Sequence, residues 1–153
     1  SFYIYNDGFV YYTGKKYDAN TITYDTVVSS GYIDRKVYKR NPMTTQDLYG
    51  HIGEKRAQTL KDNIRDCFTK VANAYTPILK RNDLNDGTNR FIIMGADVSP
   101  SEECEVKLLE INKGPDLNTK DKRDKMVKET LARETLNIIR HPRETNSFFT
   151  KIV

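Results

Sequence analysis

The run Leu108-Leu109-Glu110-Ile111-Asn112 places a carboxylate and an amide among apolar, strand-forming residues. Successive strand side chains point to opposite faces, so Glu110 and Asn112 share one face of what should be a buried strand. A second apolar run, Phe91-Ile92-Ile93-Met94-Gly95-Ala96, ends in Asp97. The link from Ser99 to Cys104 is short enough for the two runs to pair as a hairpin, which would bring Asp97, Glu110 and Asn112 together. Burying an unpaired carboxylate is costly, so two of them side by side call for a cation. Hard oxygen donors without Cys or His select Mg²⁺ or Mn²⁺ over zinc, and Mg²⁺ held by few protein ligands keeps places for water and phosphate oxygens. For a lone Glu-x-Asn the commoner alternative is an ordinary amphipathic strand with both side chains in water.

The surrounding pattern supplies the elements that must position these residues. Asp7-Gly8 lies between Phe2-Tyr3-Ile4-Tyr5 and Phe9-Val10-Tyr11-Tyr12, which predicts a tight hairpin, because such a turn needs the positive φ that Gly tolerates. Thr21 to Val28 is rich in β-branched and aromatic residues and predicts a third strand. Residues 29–47 are polar and irregular, with Pro42 as a breaker. Ala57, Leu60, Ile64, Cys67, Phe68 and Val71 recur at helical spacing. That helix starts from a Thr44 or Thr45 cap or nearer Gly53, and Pro77 lies past its end. A polar loop spans 81–90, strands run from Phe91 to Val98 and from Glu105 to Ile111, and a last helix runs from about Lys120 to Ile139, stopped by Pro142. The fold class expected is α+β, an antiparallel sheet with packed helices, in one unit without repeats.

Bulk properties exclude several functions. The 153 residues are 37% hydrophobic and 30% charged, with ten Tyr and six Phe, enough for a domain with a real core. No apolar run is long enough to span a bilayer, and the net charge of +4 without a recognisable motif argues against nucleic acid as a partner. Two cysteines, Cys67 and Cys104, lack metal spacing and suit reduced thiols in a cytoplasmic protein. Lys113, Lys120, Lys122, Arg123, Lys125 and Lys128 form a basic cluster after the carboxylate strand. It is either a solvated helix face or a surface for an acidic protein tail.

Phe91 to Asp97, followed by Lys107-Leu-Leu-Glu-Ile-Asn-Lys-Gly-Pro115, resembles the end of the tubulin–tyrosine ligase-like domain, an ATP-grasp fold. That family shows an apolar strand ending in Gly-x-Asp, a variable turn, a Leu-(Leu/Ile)-Glu-(Ile/Val)-Asn run and a small-residue/Pro turn. The resemblance implies that Asp97, Glu110 and Asn112 bind Mg²⁺ or Mn²⁺ that bridges ATP phosphates. Phe2 to Val10 resembles the family strands that follow a Lys-x-Asp-x-Arg run, so the chain is expected to be the C-terminal lobe of the ATP-grasp, with the N-terminal lobe missing before Ser1. Val27-Val28-Ser29-Ser30 and Ile33-Asp34-Arg35 fall where the family has His-Leu-Thr-Asn. Ser29 keeps the hydroxyl as a candidate ATP contact, Ser30 replaces the Asn, and Tyr11 stands near a position where family members often carry an Arg. The activity implied is ATP- and Mg²⁺-dependent ligation of an amino acid, Tyr or Glu, to a protein such as tubulin through an acyl phosphate. The alternatives are a binding-only relative and an ATP-grasp ligase acting on a small-molecule acid.

Overall fold

The structure is a computed structural model that describes residues 1–29, 35–81, 90–142, 144 and 146–153. Ser30, Ile33, Asp34 and most of the expected 81–90 loop lie outside the described residues. The elements are β1 (Tyr3–Tyr5), α1 (Tyr24–Val27), a 3-10 helix (Arg35–Lys39), α2 (Thr45–Ile52), α3 (Glu54–Arg81), β2 (Gly95–Pro100), β3 (Val106–Asn112), α4 (Lys122–Arg140) and β4 (Phe149–Lys151). The fold is α+β as expected: helices pack with two small antiparallel pairs, β1 with β4 and β2 with β3.

The first expected hairpin does not form. β1 pairs with β4, with Tyr3 opposite Lys151 and Tyr5 opposite Phe149. Residues after the turn go elsewhere: Phe9 bridges Thr44 and Thr13 bridges Ser29. The physical reason is Asp7. Its Oδ1 accepts from Gly8 N at 2.8 Å, Thr45 Oγ1 at 2.9 Å and Gln46 N at 3.2 Å, so the carboxylate serves one free amide and one hydroxyl at the start of α2 rather than closing a two-residue turn. β4 carried too short a pattern to be expected, yet Tyr5 and Phe149 stack with ring centroids 5.2 Å apart.

Thr21 to Val28 is not a strand either. Thr23 and Thr26 cap one another reciprocally, with Thr26 Oγ1 accepting from Thr23 N at 2.9 Å, and the chain takes one helical turn. Both expected starts of the long helix are real, and they begin two helices. Thr44 caps α2, and Gly53, at φ 82°, separates it from α3. Pro77 lies inside α3 rather than beyond it. A proline frees the carbonyl four residues earlier and crowds it with its ring; here that is the exposed Asn73, which water can serve, and Pro77 itself lies four residues before the helix ends.

α3 backs the β2–β3 hairpin. Asn63 Nδ2 donates to Cys104 O at 2.8 Å and an Arg56 guanidinium nitrogen to Glu102 O at 2.6 Å, so the helix grips the hairpin's turn. Cys104 is buried at φ 67°, a conformation that costs a non-glycine residue roughly 1–2 kcal/mol. At the other side of the molecule the Tyr5 hydroxyl donates to Val127 O at 3.1 Å, joining β1 to α4.

The start of α2 is a junction as well as a cap. Thr44 Oγ1 accepts from Asp47 N at 3.1 Å, while Asp47 Oδ2 accepts from Thr44 N at 3.0 Å and Met43 N at 3.2 Å and pairs with Arg123 of α4. Burial pushes the Asp47 carboxyl up, but these backbone donors and the Arg123 guanidinium outweigh it and hold the group below its ordinary value of 3.8. A depressed folded value stabilises the protein above the unfolded value and loses that stabilisation as pH falls through the folded one. Asp47→Ala is therefore expected to lower stability by about 1–2 kcal/mol near neutral pH, the usual worth of a cap. In urea titrations the deficit should shrink as pH is lowered beneath the carboxylate range. A deficit that does not change with pH would contradict the assignment.

Candidate functional site

β2 and β3 pair antiparallel with Gly95 opposite Asn112, Ala96 opposite Ile111 and Asp97 opposite Glu110. Directly opposed residues share a face of the sheet, with Cβ atoms about 4.5–5.5 Å apart. The two carboxylates are thus cross-strand neighbours. Asn112, two residues along from Glu110, donates its Nδ2 to Glu110 Oε1 at 2.9 Å. Asp97, Glu110 and Asn112 are brought together as the sequence suggested. The expectation of a buried strand is corrected: Asp97, Glu110 and Asn112 are all exposed, and Leu109 is 67% exposed, so the desolvation that acts on the Asp97 carboxyl is only partial.

Sequence reasoning missed a break in the ladder. Val98 pairs with Leu108, so Leu109 is an extra residue on β3 between the Asp97–Glu110 and Val98–Leu108 pairs. Bulges of this kind locally increase twist and re-aim side chains. A perfect alternation of apolar and polar residues would have excluded it, and the doublet Leu108-Leu109 is the one sign in the sequence. Gly95 is also structural here. A Cβ at that position would lie 3.2 Å from Pro115 Cβ, so the turn after the strand packs onto the backbone beside Asn112.

Like charges directly opposite one another repel. Burial, then the Glu110 charge and a hydrogen bond between the two carboxyls, push Asp97 above the ordinary carboxylate value. Tyr11 faces the same region: burial raises its phenol, followed by the influence of Tyr38, Asp97, Asp124 and Asp116. Asp97, Asn112, Tyr11 and Ser29 are among the many residues that border one very large open space, and Glu110 is not among its lining residues. Ser29 is exposed and its backbone bridges Thr13. Among the described residues no three His, Cys, Asp or Glu side chains gather. The candidate set is two carboxylates and one amide.

Four of the six members of the basic cluster before and along α4 are answered by acids of this chain. Arg123 pairs with Asp47, Lys125 with Glu129 at 3.4 Å, Lys120 with Asp116 at 4.0 Å, and Lys128 with Asp124 at 3.1 Å. This fits a solvated or internally paired face better than a bare basic surface.

A mixed α+β chain of small antiparallel sheets and packed helices is compatible with an ATP-grasp-like domain. Residues 1–147 match the Tubulin-tyrosine ligase family, and the chain belongs to that family. It is a family of ATP-dependent ligases. No curated protein and no solved structure matches the chain. No helix among the described residues is long and apolar enough to cross a membrane.

The raised value of Asp97, set first by desolvation and then by the Glu110 charge and hydrogen bond, has a measurable consequence. A raised folded value means that the ionised Asp97 is disfavoured in the fold, so the cost is present above the folded value and vanishes below the unfolded one. Asp97→Asn should raise the thermal midpoint at pH 7 in the absence of divalent cations, with parent and variant converging as pH falls below the carboxylate range. A variant that is less stable at pH 7 would show that Asp97 is held by favourable contacts instead.

Proposed function

We propose that this chain carries the metal- and nucleotide-binding hairpin of an ATP-dependent carboxylate–amine ligase, with Asp97, Glu110 and Asn112 as ligands for Mg²⁺ or Mn²⁺ bound to ATP phosphates. The observation that carries the reading is the cross-strand pairing of Asp97 with Glu110 beside the Asn112 amide. The donor chemistry fits: two hard carboxylates and a carboxamide oxygen, and an electrostatic cost that a divalent cation would relieve. When bound, the cation offsets charge on the transferring phosphoryl group.

The chain's own residues perform the remaining tasks. Asn112 donates to Glu110 and fixes the carboxylate's rotamer. Asp97 gives up its proton more reluctantly than an ordinary carboxylic acid, so cation binding should release protons as pH falls toward its raised value. Ser29, bordering the same open space, offers a hydroxyl to a phosphate oxygen. In the overall reaction a substrate carboxylate takes the terminal phosphoryl group of ATP, releasing ADP. An amine then attacks the acyl carbon, an amide forms and phosphate leaves. We assign the amine to an amino acid, Tyr or Glu, and the acceptor to a protein such as tubulin in the cytoplasm, in keeping with the family and with free Cys67 and Cys104.

A binding-only relative is the second reading, and Tyr11 is the observation in its favour. A neutral phenol faces Asp97 where the resembled family often places a cation, which leaves ATP phosphates with less positive charge around them. Metal-dependent nucleotide binding separates the two, because the ligase reading requires it and a binding-only relative that merely keeps the scaffold does not.

Glu110→Gln in the full protein decides the role of the carboxylate. Gln keeps nearly the same shape and an acceptor oxygen but lacks the charge. Ligation of radiolabelled amino acid, measured with Mg²⁺, should fall by at least about a hundredfold, as for removal of a metal-site group worth several kcal/mol. The thermal midpoint should stay within a few degrees of the parent. Ligation at the parent rate would reject the ligand role, and loss of ligation with a collapsed midpoint would make Glu110 a structural residue.

A further inference from the structure

The strand that carries Glu110 and Asn112 does not run into a regular element. After Asn112 the chain passes through Lys113-Gly114-Pro115 and continues irregularly to Asp121, the N-cap of α4. An irregular exit would leave the last candidate ligand free to shift, because nothing in the ladder holds residues beyond Asn112. The exit is instead fastened to one pair of side chains. Lys128 Nζ donates to Asn118 O at 2.6 Å and pairs with Asp124 Oδ1 at 3.1 Å. Asp124 Oδ2 accepts from Lys120 N at 2.6 Å. Asp124 is also anchored through its own backbone, whose N–H donates to Asp121 Oδ1 at 2.9 Å. The Lys128 ammonium lies 5.5 Å from the centre of the Phe9 ring, which adds a cation–π contact from the N-terminal segment.

This pair stands apart from every other ion pair of the described residues. Its side chains are only 12% and 6% exposed, whereas the others have at least one partner far more open to water. Removing two charges from water is expensive, and an apolar pair of similar volume often gives equal or greater stability. A buried pair that accepts backbone groups from one loop is better suited to fixing that loop's geometry. The loop's near end is where Pro115 packs on Gly95, the residue opposite Asn112.

We infer that Lys128 and Asp124 are positioning residues that lock the exit of the ligand strand and so hold Asn112 and Glu110 in register for the cation. The inference rests on the metal and nucleotide reading given above. Outer groups that orient metal ligands typically contribute 10–100-fold in metal affinity. Lys128→Met keeps the length and apolar stem and deletes both the ammonium and its bond to Asn118 O. Titration of the full protein with a non-hydrolysable ATP analogue, with and without Mg²⁺, is read beside thermal melting and hydrogen exchange at the Lys120 amide. In Lys128→Met the Mg²⁺-dependent affinity should fall at least about tenfold at a temperature where both proteins are folded, and exchange at Lys120 should accelerate while the middle of α4 stays protected. If the parent binds and the folded variant binds equally well, the pair is merely structural and the inference is overturned. If the parent itself shows no Mg²⁺-dependent binding, the reading of the site fails first and takes this inference with it. Should Lys128→Met not fold, Asp124→Asn, which keeps the acceptor for Lys120 N and loses the charge, decides by the same comparison.

Discussion

The repulsion between two carboxylates facing each other across a two-stranded hairpin is the constraint on which the rest of this structure depends. Asp97 and Glu110 occupy directly opposed positions, the hydrogen bond of Asn112 goes to Glu110, and desolvation followed by the Glu110 charge leaves Asp97 raised above the ordinary carboxylate value. A lone pair of strands is marginal in water. A pair carrying such an unfavourable contact needs support from outside. α3 supplies it at the turn, through Asn63 and Arg56, and Cys104 accepts an unfavourable φ to complete that turn. At the open end Pro115 closes on Gly95, and the exit loop is gathered by α4.

The surface electrostatics follow a similar division. Asp97, Asp116 and the buried Asp124 all act electrostatically on Tyr11. Arg123 of α4 pairs with Asp47 of α2, and Arg35 of the 3-10 helix pairs with Asp121, the N-cap of α4, so the two pairs tie the start of α4 to both elements. Exposed pairs of this kind add little individually. Their use here is to fix where α4 begins, and the N-terminus of α4 is where the exit loop must end.

The parts of the fold that could be read from the sequence were those decided by local chemistry. Glu110, Asn112 and Asp97 lay at strand spacing, and their convergence followed from a short link and alternation alone. The family motif Gly-x-Asp and Glu-x-Asn did the rest, and residues 1–147 match that family. Helices α3 and α4 were visible from apolar periodicity. What escaped was decided by contacts between distant residues. The Asp7-Gly8 turn has hairpin chemistry, but Asp7 meets the Thr45 hydroxyl and the Gln46 amide first. Thr21 to Val28 has strand composition, but Thr23 and Thr26 supply a reciprocal cap that composition does not weigh. β4 pairs with β1 from the far end of the chain, with Ile4 opposite Thr150, and no local pattern announces such a partner. The bulge at Leu109 was hidden because a one-residue insertion leaves composition untouched and changes only register.

The most direct test of the central claim is to locate a cation. Mn²⁺ scatters anomalously and replaces Mg²⁺ in oxygen sites, so crystals of the protein grown with Mn²⁺ and a non-hydrolysable ATP analogue would reveal its position. The account predicts an anomalous peak between Asp97 and Glu110, with oxygens of both carboxylates and of Asn112 at roughly 2.0–2.3 Å and a phosphate oxygen completing the shell. Nucleotide density elsewhere, or a peak coordinated by neither Asp97 nor Glu110, would contradict it.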